Sequence, residues 1–369
     1  MKKILFLIHD LGGGGAEKVL VNLVNHMDCT LFEIHVTALF GGGTNEQFLK
    51  PDIHYRAVWN KMLPGNSKLM KLLTPGQLHR LCVKEHYDIE VSYLEGPAAR
   101  VISGCEDPKT KLVSWIHSQQ PVKAAASSFR SVSEARACYD RFDRIIGVSE
   151  EVKKTFLACV ATSAPMQVLY NTNESEQIKL QAQDAVEKNL FSENEFKIIG
   201  VGKLLKSKGF DRLARITEKL KKEGYPVHLY ILGVGPLQQE LERFIAEHEL
   251  KDAITLLGYQ TNPYKYVSRC DLFVCASHAE GFSTAATEAL IVGTPVCTVE
   301  VSGMKEMLGE NDEYGIVTEN SEEALYEGIK RLLDDPALLA HYRKQAALRG
   351  EQFSTEKTVK AVEDMLLGL

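Results

Sequence analysis

The segment SHAEGFSTAATEALIVGTPV, residues 277–296, carries two glutamates that could act on one bound molecule. Glu280 and Glu288 are separated by seven residues. On one straight helix, eight steps of about 100° would leave the two side chains roughly 80° apart, which is hardly a shared face. The Gly-Phe pair after Glu280 instead predicts a loop, and Ser283 or Thr284 predicts the cap of a helix that the later Gly and Pro end. We therefore expect one carboxylate on a loop and the other early in a helix, with both pointing into one cleft.

The chemistry of two such carboxylates is hydrogen bonding to a polyhydroxylated ligand. Carboxylate oxygens accept hydrogen bonds from vicinal sugar hydroxyls, and an acidic residue beside a ribose is an established pattern in nucleotide-binding folds. Two glutamates on a solvated surface helix would fit poorly with the apolar sequence around Glu288. The pattern favours a sugar or nucleotide site.

A pair of lysines follows another predicted strand. VGKLLKSKGFDRLARI, residues 201–216, puts Lys203 and Lys208 on the turn after that strand. Two ammonium groups at a strand end suit a diphosphate, because a departing phosphate gains negative charge in the transition state. Two loop lysines are as often merely solvated, so this motif alone leaves both interpretations open.

A run of glycines follows the first predicted strand. HDLGGGGAEKVLVNL contains Gly12–Gly15 and opens an amphipathic helix whose apolar side comprises Val19, Leu20, Leu23 and Val24. The glycines let another molecule approach the backbone, and free N–H groups at a helix start attract an anion. A flexible turn is the alternative, and Glu17 could simply interact with the helix dipole. The run lacks the Lys-Ser/Thr of a Walker A loop.

No metal or redox cofactor is predicted. The sequence has no Asp-x-Asp, His-x-His or His-Glu-x-x-His, so a diphosphate must be neutralised by lysines and helix ends. Gly233-Val-Gly235 is only part of a dinucleotide fingerprint, because Gln238 stands at its third glycine position. Pro236 suits the first turn of a helix better than a cofactor loop.

Length and charge limit the class of protein. A chain of 369 residues exceeds what one hydrophobic core usually serves, which favours two domains. The net charge of -6 argues against a general nucleic-acid binder. Residues 1–150 hold 18 Lys and Arg against 16 Asp and Glu, whereas the remainder holds 25 against 33. The difference in sign fits two domains with different partners.

The chain is expected to be cytoplasmic. The apolar run in MKKILFLIHD is shorter than the core of a signal peptide, and no stretch approaches the roughly 20 apolar residues of a membrane-spanning helix. The eight cysteines are scattered, which favours reduced thiols.

Apolar runs alternate with helical patterns, which predicts an α/β protein with parallel sheets covered by helices on both faces. The predicted strands are KILFLI, EIHVTAL, DIEVSYL, TKLVSWI and DRIIGVS, followed by FKIIGVG, VHLYILG, AITLLG, DLFVCAS and PVCTV. The polar segment between the two series predicts a domain boundary.

We predict four segments along the chain: an N-terminal doubly wound domain over residues 1–172, a linker over 173–195, a C-terminal doubly wound domain over 196–350 and a helix over 351–369 that returns to the first domain. Ligands of such sheets bind beyond the carboxyl ends of the strands, where the motifs above lie.

Four motifs together resemble one family. GGAE, VGKLLKSKGFD, LGVGPLQQELE and SHAEGFSTAATEALIVGTPV occur in the order and at the spacing seen in retaining glycosyltransferases of family 4. The resemblance covers nearly the whole chain and implies the GT-B fold, two Rossmann-like domains facing each other across a cleft. The motifs look most like bacterial enzymes that build capsular polysaccharide, O-antigen or lipid-linked oligosaccharide from UDP-sugars.

The resemblance implies roles for individual residues. Glu280 would hold the donor sugar and stabilise positive charge at its anomeric carbon, Glu288 would bind the ribose hydroxyls, and Lys203 and Lys208 would hold the diphosphate. The implied donor-binding set is Gly14, Gly15, Lys203, Lys208, Tyr259, Gln260, Glu280, Gly281, Phe282, Ser283, Thr284 and Glu288.

A histidine and further acidic residues complete the implied site. His117, in LVSWIHSQQ, ends a strand where the family often has a histidine near the donor sugar. A lone histidine is more often structural, but the position at a strand end makes the functional interpretation about equally favoured. The implied catalytic set is Glu280, Lys208, Lys203 and His117, and the implied acceptor-binding set is Glu17, Glu95 and His117.

The implied reaction moves a hexose or N-acetylhexosamine from a UDP-sugar to a glycan or polyprenyl-diphosphate-linked acceptor, with the α configuration retained and no metal. The departing phosphate would take the acceptor proton. A GT-B epimerase or phosphorylase, or a non-catalytic nucleotide-sugar-binding subunit, is the alternative. A phosphorylase would carry a lysine-bound cofactor, and neither that lysine nor the acid/base set of an epimerase is identified.

A basic segment could contact a membrane. Residues 61–84 contain five Lys and Arg and no acid, with Leu and Met between them. Such a segment could dock on an anionic membrane surface, which suits a lipid-linked acceptor. A solvated helix face that covers the first domain explains the pattern equally well.

Overall fold

The computed structural model describes residues 1–61, 70–118, 127–188, 190–280 and 282–369. Contacts divide the chain into two compact units. The first comprises Met1–Asn173 together with Thr355–Leu369, and the second comprises Glu174–Ser354.

The first unit is built on a seven-stranded parallel sheet in the order β3-β2-β1-β4-β5-β6-β7. Its strands are β1 (Lys2–Ile8), β2 (Phe32–Phe40), β3 (His54–Trp59), β4 (Ile89–Ser92), β5 (Lys111–Ile116), β6 (Arg144–Gly147) and β7 (Met166–Val168). The helices between them include α1 (Gly15–His26), α2 (Pro75–Cys82), α3 (Pro97–Ile102), α4 (Val132–Tyr139) and α5 (Glu150–Val160), and a 3-10 turn spans Glu46–Phe48. The chain moves outward from β1 and then returns to its other side, so the topological switch point lies between β1 and β4.

The second unit repeats this plan with a six-stranded parallel sheet in the order β10-β9-β8-β11-β12-β13. Its strands are β8 (Phe196–Val201), β9 (Val227–Leu232), β10 (Ile254–Gly258), β11 (Leu272–Cys275), β12 (Val296–Val299) and β13 (Ile316–Thr318). Its helices include α6 (Ser175–Gln181), α7 (Phe210–Lys222), α8 (Gln238–Glu247), α9 (Tyr264–Val267), α10 (Thr284–Ile291), α11 (Met304–Leu308), α12 (Glu322–Asp334) and α13 (Pro336–Gly350), with 3-10 turns at Lys206–Lys208 and Glu351–Phe353. The switch point lies between β8 and β11.

The last helix, α14 (Thr355–Leu367), belongs to the first unit. Thr355 Oγ1 donates a hydrogen bond of 2.6 Å to the Asn173 carbonyl, and Lys2 Nζ donates one of 3.0 Å to the Leu366 carbonyl. The linker was expected over residues 173–195, but Asn173 belongs to the first unit and residues 174–195 are part of the second unit and contain α6.

The cores follow from continuous apolar runs in strands that are covered on both faces. Ile4 to Ile8 in β1 have no exposed surface, and the predicted apolar side of α1 is buried beside them. In α7, Leu213, Ile216 and Leu220 recur at helical spacing and are buried against β8 and β9. All ten predicted strands are present. The prediction missed β3, β7 and β13, each of which lies at the edge of its sheet.

Within the described ranges, no helix is long and apolar enough to cross a membrane.

Candidate active-site residues

The lysine motif and the glutamate motif follow adjacent strands of the second unit. β8 and β11 pair directly, with Ile198 opposite Leu272 and Ile199 opposite Phe273. Both strands are parallel, so the turn after β8 and the loop after β11 leave the same edge of the sheet, at the switch point. The fold therefore brings together two motifs that lie some 70 residues apart in the sequence.

Lys208 and Glu280 form an ion pair at this edge. Lys208 Nζ lies 2.5 Å from Glu280 Oε1, and the Ser277 hydroxyl donates to the same oxygen at 2.7 Å. The Lys208 side chain is 30% exposed and that of Glu280 is 11% exposed. One carboxylate oxygen thus accepts from an ammonium group and a hydroxyl in a half-buried position, where charge interactions are stronger than in water.

A buried arginine fixes the loop that carries Glu280. Arg212, in α7, is 3% exposed. Its Nε donates to the Ala276 carbonyl at 2.6 Å, its Nη2 donates to the Ser277 carbonyl at 2.8 Å and its Nη1 donates to Asn320 Oδ1 at 2.9 Å. Burial lowers the pKa of the guanidinium, with nearby carboxylates opposing that effect. Sequence analysis did not identify this arginine, although it stands four residues after Lys208.

The turn that carries Lys208 is tied to the same loop. The His278 N–H donates to the Ser207 carbonyl at 2.7 Å. Gly209 has a φ of 66°, and a Cβ there would lie 1.9 Å from the Ala276 carbonyl oxygen. Only glycine permits this close approach, so the sequence Lys208-Gly209 sets the position of the ammonium group relative to the strand end.

Glu288 lies in α10 as predicted, beyond the loop. Ser283 caps the helix by accepting a hydrogen bond of 3.3 Å from the Ala286 N–H. Glu288 is half-buried, and its Oε1 accepts from the Tyr264 hydroxyl at 3.1 Å. The two glutamates therefore occupy different elements, one on the loop and one in the helix.

Other members of the predicted donor set differ in their surroundings. The Lys203 side chain is exposed and has no ion-pair partner among the residues that the structure describes. Phe282 is buried, with its ring 5.9 Å from that of Phe353, so only its backbone could contact a ligand. Thr284 begins α10, and Gly281 lies outside the described residues.

Tyr259 and Gln260 follow β10. The Tyr259 side chain is 72% exposed, which leaves its ring free to stack on a planar group. Gln260 Nε2 donates to the Leu257 carbonyl at 2.8 Å, and Gln260 Oε1 accepts from the Tyr266 hydroxyl at 3.2 Å. These bonds hold the amide within the turn.

Gly233 and Gly235 have a packing role. A Cβ at Gly233 would lie 1.9 Å from the Gly202 carbonyl oxygen, and one at Gly235 would lie 2.6 Å from that of Leu204. The two glycines let the turn after β9 lie against the turn after β8, which carries the lysines. The placement of Pro236 in a first helical turn was wrong, because α8 begins only at Gln238.

In the first unit, the glycine run leads into α1. Gly14 is the N-cap, with a φ of −89°, and Gly15 is the first helical residue. A Cβ on Gly14 would lie 2.1 Å from Glu17 Oε2, whereas one on Gly15 would meet no atom within 4 Å. The Glu17 carboxylate therefore already lies over this helix start, where its charge interacts favourably with the helix dipole.

Glu95 and His117 lie together after β4 and β5. Glu95 Oε2 accepts from the His117 N–H at 2.9 Å, and Glu95 Oε1 accepts from the Ser118 hydroxyl. The His117 residue is partly exposed, but its Nε2 is buried and has no hydrogen-bond partner among the described residues. The ring lies 4.8 Å from that of Tyr93, and burial lowers the pKa of His117 to about 3. The imidazole is neutral at pH 7.

The two parallel α/β units, each with its polar motifs at the carboxyl ends of its strands, have the architecture of GT-B glycosyltransferases. The family described as Glycosyltransferase Family 4 matches residues 13–173, and the family described as Glycosyl transferases group 1 matches residues 181–349. The chain is 30% identical, over all of both chains, to the N-acetylgalactosamine-N,N'-diacetylbacillosaminyl-diphospho-undecaprenol 4-alpha-N-acetylgalactosaminyltransferase of Campylobacter jejuni. It belongs to this glycosyltransferase family.

A second relative matches part of the chain, and a solved structure matches all of it. The lipopolysaccharide core biosynthesis glycosyltransferase LpsD of Rhizobium meliloti is 30% identical over 47% of this chain and 49% of its own. The crystal structure of HepE from Anabaena in complex with UDP matches all of both chains with a TM-score of 0.80 at 20% identity. At 20% identity, this structural match supports the fold alone.

Proposed function

We propose that this glycosyltransferase moves a hexose or N-acetylhexosamine from a UDP-sugar to a polyprenyl-diphosphate-linked or glycan acceptor during cell-surface polysaccharide synthesis. The transfer retains the α configuration and uses no metal ion. The observation that carries the proposal is the Lys208–Glu280 pair at the switch point of the second unit. It joins a cation suited to a leaving diphosphate with a carboxylate suited to a sugar.

The names of the relatives support the choice of substrates. The Campylobacter jejuni relative is an α-N-acetylgalactosaminyltransferase that acts on a diphospho-undecaprenol glycan, and the Rhizobium meliloti relative acts in lipopolysaccharide core synthesis. The structural neighbour from Anabaena was crystallised with UDP. We propose that the present chain uses the same class of lipid-linked acceptor and the same nucleotide, UDP.

The two lysines and Glu280 each have a proposed role in this reaction. Lys208 and Lys203 hold the diphosphate and stabilise the charge that it gains as the glycosidic bond breaks, in place of a metal ion. Glu280 holds the sugar hydroxyls and stabilises positive charge at the anomeric carbon. The departing phosphate oxygen accepts the proton of the acceptor hydroxyl, so the α configuration of the sugar is retained without a protein nucleophile.

Further residues orient the two substrates. Glu288 binds the ribose hydroxyls, and Tyr259 and Gln260 flank the base. In the first unit, Gly14 and Gly15 offer backbone N–H groups at the start of α1. We assign the neutral, partly exposed imidazole of His117 to a hydroxyl of the sugar or the acceptor. Orientation of this kind accounts for a large part of catalysis in transferases that lack a covalent intermediate.

Glu17 and Glu95 are the remaining members of the proposed acceptor set. The Glu17 carboxylate lies at the start of α1, and that of Glu95 accepts from the backbone after β5. We assign Glu95 a positioning task toward His117 and assign Glu17 to an acceptor hydroxyl.

We also propose a peripheral position on the cytoplasmic face of the membrane. Residues 62–69 of the basic segment lie outside the described residues. In its remaining part, the side chains of Leu72 and Leu81 are exposed, by 74% and 41%, and Arg80 and Lys84 are exposed near them. Exposed apolar and basic side chains suit an anionic lipid surface. Sedimentation with vesicles tests this step, and equal binding to neutral and anionic vesicles would contradict it.

A donor panel tests the function. Purified protein is incubated with UDP-, GDP- and ADP-sugars in a thermal-shift assay, because the bound donor raises the melting temperature by mass action. The selected donor is then combined with undecaprenyl-diphosphate-linked glycans, and NMR of the product gives the anomeric configuration. A UDP-sugar, an α-linked product and unchanged turnover in EDTA are expected. A β-linked product, or turnover that EDTA abolishes while the melting temperature stays unchanged, would overturn the mechanism.

A further inference from the structure

Three possible metal ligands meet in the first unit, at the amino edge of its sheet. His79 lies in α2, Glu90 lies near the start of β4 and Cys105 follows α3. The carboxyl ends of the strands, where Glu95 and His117 lie, are at the opposite edge of the same sheet. None of the three side chains belongs to the proposed transfer site.

The three ligand atoms lie close together and mostly buried. His79 Nε2 is 2.8 Å from Glu90 Oε2, and one atom from each of the three residues lies within 4.8 Å of the others. Glu90 is 2% exposed, Cys105 is 3% exposed and the His79 side chain is 14% exposed. A carboxylate on a buried strand is costly unless cationic or hydrogen-bonding groups compensate it.

The local sequence holds the histidine in place. α2 starts with Pro75 and a capping box in which the Thr74 hydroxyl accepts from the Gln77 N–H at 3.2 Å, while the Gln77 side chain accepts from the Thr74 N–H at 2.8 Å. This rigid start places His79 on the first turns of a well-defined helix, facing the sheet.

A surface cavity gives access to the cluster. It has a volume of about 270 Å³ and is lined by the three side chains and also by His86 and Asp107. His86 Nδ1 lies 3.0 Å from Asp107 Oδ2. A hydrated ion can therefore enter from solvent without unfolding of the sheet.

One imidazole nitrogen, one thiolate and one carboxylate form a ligand set that suits zinc. Zinc binds N, S and O ligands at about 2.0–2.3 Å in a tetrahedron, which sets neighbouring ligand atoms roughly 3.3–3.7 Å apart. Side-chain movements of about 1 Å would bring the present arrangement to that geometry.

We propose that the first unit binds one Zn²⁺ through His79 Nε2, the Glu90 carboxylate and Cys105 Sγ, with water from the cavity as the fourth ligand. On binding, the Cys105 thiol loses its proton to solvent, and the Zn²⁺ also displaces the proton on His79 Nε2 that is donated to Glu90 in the metal-free protein. The ion joins α2, β4 and the turn after α3, so its effect is to stabilise the first unit.

A second group of possible ligands serves as an internal comparison. Glu33, His35 and His54 also approach one another in the first unit, but they include no thiol. Glu33 Oε1 already lies 2.8 Å from His35 Nε2 and 3.4 Å from Lys3 Nζ. The ammonium group competes with a cation there, so we assign the zinc to the cluster that contains Cys105.

The experiment uses the full chain with ZnCl₂ and CoCl₂ as probes. Metal is removed by dialysis against a chelator, and zinc uptake is measured by mass spectrometry. The expected result is one zinc per chain, a rise in melting temperature with zinc, and a thiolate-to-cobalt charge-transfer band. C105S and H79Q lose the zinc, the band and the rise in melting temperature.

Matched variants give the control. C82S removes another buried thiol of the same unit, and H54Q alters the second group. Both are expected to keep one zinc and the cobalt band. Absence of zinc uptake by the wild type, or uptake that C105S and H79Q leave unchanged, would overturn the proposal and identify the cluster as a hydrogen-bonded His–Glu pair. If C105S fails to fold, loss of zinc in folded H79Q decides the question.

Discussion

The strand-end groups of the two units differ in charge and in how they are held. In the second unit, the Lys208–Glu280 ion pair is held by contacts from α7 and neighbouring turns. In the first unit, a neutral His117 lies beside Glu95, whose oxygens accept from the backbone and a hydroxyl. One topology thus supports a charged site built on an ammonium–carboxylate pair, which we propose for the diphosphate and sugar, and a site built on a neutral imidazole and a carboxylate, which we propose for hydroxyl groups. The difference arises from residues that follow the strands, because Lys208, Glu280, Glu95 and His117 all lie beyond the last residue of the strand that precedes them.

The largest expected effect comes from removing a charge at the second site. E280Q and K208A should each lower turnover by about 10²–10³-fold, the range seen when one group that stabilises transition-state charge is lost. Turnover is measured as UDP release with the donor that the panel selects. Melting temperatures within a few degrees of wild type would show that the fold is kept. Wild-type turnover in both variants would remove the charged site from the mechanism.

The second largest effect is expected from replacing Arg212, which holds the loop that carries Glu280. R212M leaves the Ala276 and Ser277 carbonyls without their charged donor, which costs about 1–3 kcal/mol for each buried unsatisfied group. We expect a lower melting temperature and a fall in kcat of about 10-fold or more, with a smaller change in donor KM. N320A, which removes only the third partner, is the graded control. Should R212M lose stability but keep kcat, Arg212 would have only a structural role.

The neutral imidazole of His117 should make the stability of the protein depend on pH. Because burial depresses the pKa of His117 to about 3, the unfolded chain takes up a proton below about pH 6.5 that the folded chain cannot. The wild type should therefore lose about 1 kcal/mol more stability than H117Q between pH 7.5 and pH 5.5. Urea unfolding at the two pH values measures this. An equal loss in both proteins would mean that the imidazole titrates normally in the folded state.

The smallest effect is expected at Glu288, which we propose binds the ribose hydroxyls. Y264F removes the hydroxyl that donates to Glu288, a bond worth about 1 kcal/mol, and should raise donor KM about fivefold with kcat unchanged. Y326F removes a hydroxyl that bonds to Glu223 elsewhere in the unit and should leave KM unaltered. A change in kcat for Y264F would place Glu288 nearer to the chemistry than the ribose.

The sequence predicted the central strands because they are continuous apolar runs, buried on both faces. The three strands it missed are edge strands: β3 has the mixed polar sequence HYRAVW, and β7 and β13 are only three residues long. Edge strands need fewer apolar residues, so their pattern is weak.

The charged motifs could be predicted because each lies within a short segment. Arg212 could not be assigned, since its partners Ala276 and Asn320 are 64 and 108 positions away. The cluster of His79, Glu90 and Cys105 has no recognisable spacing either, because each residue comes from a different element. Such groupings depend on tertiary contacts that a linear pattern does not contain.

The position of α14 has a consequence for synthesis of the chain. This helix completes the first unit, yet the ribosome makes it only after the whole second unit. Until then, groups such as the Asp28 N–H, which donates to Glu363 at 2.6 Å, lack their final partners. The first unit of the nascent chain therefore lacks α14 until some 180 further residues have been synthesised. A premature stop codon before residue 355 would leave this unit permanently incomplete.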